Sequence, residues 1–205
     1  MPVAHHRLRQ IHLGFIALSD AAPIVVAQEH AMFARRGLDV VLHREVGWAT
    51  LRDKVIYGDL DVAHGLAGML VATQLGLGCP ASDVMTGCVL SENGNAITLS
   101  RTLWDAGARD AASLRMEVRR RHGERRLTFG VVFPWSSHHL MLREWLRAGG
   151  VDPDRDVRVV VVPPAQMFRN LAAGTIDGFC AGEPWNSLCV REGAGVVVAC
   201  SVSQD

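Results

Sequence analysis

The chain has 205 residues, 49% of them hydrophobic and 20% charged, with zero formal net charge and a pI near 7.1. That balance is of an ordinary globular protein, and it offers no bulk electrostatic attraction to nucleic acid or to an acidic membrane surface. No run approaches the roughly 18 apolar residues that a membrane span needs.

The opening "MPVAHHRLRQIHLGF" lacks a continuous apolar segment and a small-residue cleavage site, so no export signal is read and a cytoplasmic location is expected. "IHLGFIAL" reads as the first strand. Ser19 and Asp20 follow as helix N-cap candidates, with Pro23 where a first turn tolerates it. The helix "PIVVAQEHAMFARR" is expected to stop at Gly37, before a strand "LDVVLHR". "ATLRDKVIYG" reads as a short helix after Trp48, "DVAHGLA" as a strand and "GMLVATQLGLG" as an apolar helix. Two further strands, "DVMTGCVLS" and "NAITLS", are separated by a turn signal at Asn93 and Gly94.

From Leu103 to Arg126 the chain is polar, arginine-rich and helix-prone. Alternation then restarts: strand "LTFGVVF", helix "SHHLMLREWLRAG", strand "VRVVVV", helix "PAQMFRNLAAG", strand "DGFCAG", a turn at Glu183 to Trp185, and strand "GVVVACS". Repeated strand–helix units with nearly continuous apolar strands predict parallel sheets covered on both faces. The restart near residue 127 predicts two α/β lobes, divided as residues 1–98 and 99–205.

The adjacent His138 and His139 invite a metal reading, but neighbours on a helix point about 100° apart and cannot chelate one ion as an i, i+4 pair does. No nucleophile elbow or Walker-type phosphate loop occurs, and no carboxylate spacing suggests glycoside chemistry. The five cysteines are scattered with no Cys-x-x-Cys pair, and are read as reduced thiols. Anion capture remains. If Ser136 or Ser137 caps the helix, His138 stands in its first turn, where free N–H groups and the macrodipole favour negative charge and hold the imidazole neutral. Plain helix surface stays an equal alternative on these grounds, and Trp48 has a packing alternative too.

The stretches "IHLGFIALSDAAPIVVAQEHAMFARRGLDVVL", "EVGWATLRDKVIYGDLDVAHGLAGM", "ENGNAITLS", "SSHHLMLREWLRAGGVDP" and "PPAQMFRNLAAGTIDGFCAGEPWN" resemble, in this order, the nitrate- and bicarbonate-binding branch of ABC-importer solute-binding proteins. That branch lies in the NMT1-like superfamily and includes cytoplasmic nitrate/nitrite sensors. The resemblance implies a two-lobed type II periplasmic-binding-protein-like fold holding a small planar oxyanion, with no enzymatic activity and no cofactor. It implies Trp48 in the pocket wall, Asn95 as an amide donor and His138 as the anion-contacting histidine, with His139 on a variable position. Glu183 is a candidate acceptor for a bicarbonate hydroxyl. Relatives are longer, so the fold is expected to be C-terminally incomplete, ending before a crossing that completes the first lobe. The implied partners are a small inorganic anion and either a regulatory protein or an ABC permease. The alternative is an enzyme like the thiamine-pyrimidine synthases on the same fold; Cys180 and Cys189 are too sparse to supply the iron-binding segment that it needs.

Overall fold

The computed structural model describes residues 10–121 and 125–201. Most of the opening stretch read for an export signal, and residues 122–124 of the arginine-rich stretch, lie outside the described residues.

Strand β1 (Gln10–Ile16) leads through a 3-10 turn at Ser19–Ala21 into α1 (Ala22–Glu29), which has Pro23 in its first turn. Neither Ser19 nor Asp20 caps this helix with its side chain, contrary to the expectation. The helix expected to continue through Arg36 divides at Ala31, which adopts a left-handed φ of 52°, and resumes as α2 (Met32–Arg35). Beyond the break, Phe33 packs against Leu13, Ile24 and Val40, and that apolar contact favours the interruption. Gly37, at φ +72°, closes the segment as a C′ glycine does.

Next come β2 (Asp39–Glu45), α3 (Trp48–Ile56), the two-residue β3 (Val62–Ala63) and α4 (Ala67–Gln74). The three strands form a parallel sheet in the order β2-β1-β3. Residues 83–91 form no strand; Met85 and Val89 are 93% and 75% exposed. Asn93 and Gly94 do take the left-handed conformations of the expected turn, but no hairpin follows. Both edges of the strand that follows this turn are already occupied, so residues 83–91 cannot pair with it as a hairpin.

That strand is β4 (Asn95–Ser100), followed by α5 (Arg101–Asp105), α6 (Ala111–Arg120), β5 (Thr128–Val131) and α7 (Ser137–Ala148). The remainder is β6 (Arg158–Val161), α8 (Met167–Ala172), β7 (Gly178–Gly182), α9 (Trp185–Arg191) and β8 (Gly195–Cys200). These strands make one sheet, ordered β6-β5-β7-β4-β8. It is mixed rather than parallel: β5, β6 and β7 run together, while β4 runs against β7 and β8. The physical reason is the route of the chain. β4 enters from the first sheet's side and runs away from it, so its first residue lies beside the last residue of β7. The division expected at 98/99 falls inside β4, whose length pairs wholly in the larger sheet.

Helix α9 replaces what was read as a bare turn before β8. Asn186, fully buried, ties it down by accepting from Thr98 Oγ1 at 2.8 Å and donating to the Ala181 carbonyl at 2.8 Å. On β7, Phe179 and Ala181 face one apolar cluster and Cys180 the other, the period of two that a sheet covered on both faces requires.

The first of those clusters crosses between the sheets. It joins Ile16, Trp48, Leu51 and Met69 to Phe133, Met167 and Phe179. Burying one such side chain contributes about 1.5–3 kcal/mol, so the cluster binds the two lobes firmly together. The contact is close: a Cβ on Gly68 of α4 would stand 2.0 Å from the Trp135 carbonyl oxygen, which only glycine permits. Arg52 of α3 also stacks over the Phe133 ring at 5.7 Å.

Candidate anion site between the lobes

Helix α7 presents His138, Leu142 and Leu146 at intervals of four, and all three are buried. The helix is capped by Ser136, not Ser137: its hydroxyl accepts from the His139 N–H at 3.2 Å and donates to the Phe133 carbonyl at 2.7 Å. His138 thus opens the buried stripe, pointing toward the other lobe. Its Nε2 lies 3.7 Å from where a Cβ on Gly182 would stand. Burial pushes its pKa down to about 4, only partly offset by the nearby Asp20 carboxylate, so it is neutral at pH 7. The macrodipole acts in the same direction, but burial is the dominant cause. His139 turns the other way, with its Nδ1 against the Pro134 carbonyl.

Asn95 opens β4 and stands directly opposite Gly182 in the antiparallel register. Its amide nitrogen donates to Ser137 Oγ at 3.2 Å, which brings it beside the first turn of α7. From the smaller lobe, Trp48 is only 1% exposed and meets the His64 ring edge-on at a centroid distance of 5.0 Å. His64 Nε2 is 3.4 Å from Asp20 Oδ2. Trp185, the first residue of α9, packs against the same apolar cluster as Trp48.

Five atoms in this region are buried without a hydrogen-bond partner among the described residues: Asp20 Oδ1, Trp48 Nε1, His64 Nδ1, His138 Nδ1 and Trp185 Nε1. Each unsatisfied buried polar group costs about 1–3 kcal/mol, so a concentration of them at one contact calls for a reason. An indole, two imidazoles and an amide, drawn from both lobes, are the kinds of donor that a planar anion accepts from in its own plane.

Of the residues singled out in the sequence, Trp48, Asn95 and His138 converge here. The Glu183 carboxylate is engaged elsewhere, accepting from the Ser187 N–H at 3.0 Å in the first turn of α9. The Glu183 carbonyl, however, accepts from the Ser19 N–H at 2.8 Å and so ties the two lobes together. Asp20 and His64, which also gather here, were not singled out in the sequence as candidates. Asp20 passed for a helix cap, and His64 sits in a segment read as a plain strand. A polar pair inside two apolar segments was the available signal.

No group of three or more His, Cys, Asp or Glu side chains suited to a metal occurs among the described residues. Cys79, Cys88, Cys180 and Cys189 are free thiols. Burial holds the Cys180 thiol protonated and pushes Cys189 up to about 12, with Glu183 adding to the effect. Protonated thiols are poor metal ligands. No helix of the described residues is long and apolar enough to cross a membrane.

The NMT1-like family model matches residues 4–204. The chain is 44% identical over 191 residues to the nitrate import ATP-binding protein NrtC of Synechocystis sp., covering 92% of this chain and 28% of that protein. It is 44% identical over 201 residues to the bicarbonate transport ATP-binding protein CmpC of the same organism, covering 96% and 30% respectively. The crystal structure of the periplasmic nitrate-binding protein NrtA from Synechocystis superposes with a TM-score of 0.88 at 32% identity, over 95% of this chain and 52% of that one. The chain therefore spans about half the length of that solved relative and under a third of the two ATP-binding relatives.

Proposed function

The chain belongs to the NMT1-like family, with the periplasmic-binding-protein fold, and on that premise we propose that it binds a small planar oxyanion between its lobes as a part of an anion-import system. Nitrate, nitrite and hydrogencarbonate are the candidate ligands. The observation that carries this reading is the set of buried donors without partners, Trp48 Nε1 of one lobe and His138 Nδ1 of the other above all. Trp48 and His138 donate to the anion, Asn95 borders the site from the start of β4, and Glu183 contributes through its backbone link to Ser19.

Within the import system, the role we assign is sensing: the anion strengthens the closed arrangement of lobes, which a regulatory partner or the transporter reads. The similarity to two ATP-binding import proteins supports a cytoplasmic module of this kind over an exported receptor. The chain carries no Gly-x-x-x-x-Gly-Lys-Ser/Thr loop, so what it shares with them is not their nucleotide-binding loop. Calorimetric titration with nitrate, nitrite and hydrogencarbonate, against chloride and sulfate, tests the reading. Saturable binding of at least one planar anion, lost in Trp48→Phe, is expected. Equal response to all five anions, or to none, overturns it.

A further inference from the structure

Strand β6 is an edge of the larger sheet. Arg158 and Val162 send their N–H groups to the Leu127 and Val131 carbonyls of the neighbouring segment, at 2.8 and 2.9 Å. By alternation, the N–H and C=O groups of Val159 and Val161 point away from the sheet. They have no hydrogen-bond partner among the described residues. This open edge does not face bare solvent; it lines a groove of about 830 Å³ that runs past the outer side of α7.

The charge in that groove is predominantly positive. Arg125, Arg126, Arg143 and Arg158 line it against a single carboxylate, Asp154. Asp154 is neutralised by a two-pronged contact from Arg143, and Arg125 is paired with Asp177. The guanidinium groups of Arg126 and Arg158, both exposed, have no ion-pair or hydrogen-bond partner among the described residues. Val161, 56% exposed, adds an apolar step between the charges.

We infer that the β6 edge is a docking site for an extended acidic peptide segment, which adds a strand to the sheet and sets its carboxylates against Arg126 and Arg158. Strand addition draws affinity from main-chain bonds and specificity from flanking side chains, and this groove supplies both. A second copy of the chain is disfavoured, because pairing two β6 edges would bring like arginine clusters together. Charged residues often guard edge strands against pairing. Here the guard is cationic only, so it repels basic and identical edges and leaves acidic ones admitted. The groove lies on the opposite side of α7 from the anion site, and the inference does not depend on that site's ligand.

The test uses the full chain and a fluorescent peptide of alternating valine and glutamate, followed by anisotropy and by amide hydrogen exchange. Binding that weakens as salt rises, and that falls roughly tenfold or more in the double variant Arg126→Ser, Arg158→Ser, is expected. Both positions are exposed, and an unchanged melting temperature checks that the variant folds. Alternate N-methylation of the peptide must abolish binding, and the Val159 and Val161 amides must gain protection when the unmodified peptide is added. Equal binding of a valine–lysine peptide, indifference to N-methylation, or no protection at Val159 and Val161 would overturn the assignment.

Discussion

The two sides of α7 handle polar groups in opposite ways. On the inner side, His138 is buried, neutral and without a partner for Nδ1, in an apolar cluster that joins two lobes. On the outer side, one turn away, Arg143 holds Asp154 in a two-pronged bond at the solvent boundary, and His139 rests on the Pro134 carbonyl. The outer pairs are satisfied and cheap, whereas the inner group is costly and unsatisfied. Stability alone would remove the inner imidazole and keep the outer pairs, so the side that costs stability is where a binding function is to be sought.

This contrast can be broken experimentally, beginning with affinity. If His138 donates to the anion as proposed, replacing it with alanine removes one hydrogen bond to a charged ligand, about 1.5–3 kcal/mol, and is expected to weaken anion binding roughly tenfold to hundredfold. His139→Ala is expected to leave affinity within about twofold, because that ring points to the outer side. Calorimetry on both variants checks the pair; equal losses would erase the distinction between the two sides.

The pH dependence follows from the same burial. His138 titrates near 4 when folded and near its ordinary 6.5 when unfolded, so between those values the unfolded chain binds the extra proton. Stability is therefore flat above neutral pH and is lost as pH falls through this window, by roughly 2 kcal/mol between pH 7 and pH 5. Urea unfolding across that range is expected to show the loss in the wild type and not in His138→Gln. A bound anion favours the imidazolium, so ligand affinity should rise over the same interval in which stability falls.

A smaller effect concerns the cap. Ser136→Ala removes the side-chain bonds to the His139 N–H and the Phe133 carbonyl, each of which keeps a backbone partner in Ser136, for a cost of about 1 kcal/mol. Because Ser136 positions the first turn of α7, anion affinity should fall together with the denaturation midpoint. The smallest effect is expected outside. Asp154→Asn breaks an exposed ion pair, and the melting temperature should stay within about 2 °C of the wild type.

The element order was legible wherever the signal is local. The burial stripe of α7 follows from Leu142 and Leu146 four residues apart, and the stop at Gly37 from a glycine that tolerates positive φ. Helix α9 was not legible, because Trp185 to Arg191 is short and is held by Asn186 reaching across to Thr98 and Ala181. Residues 83–91 have strand-forming composition yet form none, since β4 is already paired on both edges.

By itself, the sequence determined the alternation of strands and helices and the family motifs, whose resemblance implied Trp48, Asn95 and His138. Those follow from side-chain periodicity and from ordered local strings, which need no distant partner. Only the tertiary structure decided that β4 runs antiparallel, which sets Asn95 opposite Gly182. It alone brought Asp20 and His64 to Trp48, and turned His138 inward to be held neutral by burial rather than by the helix end. Strand pairing and desolvation depend on which remote segments arrive, and no local spacing encodes that.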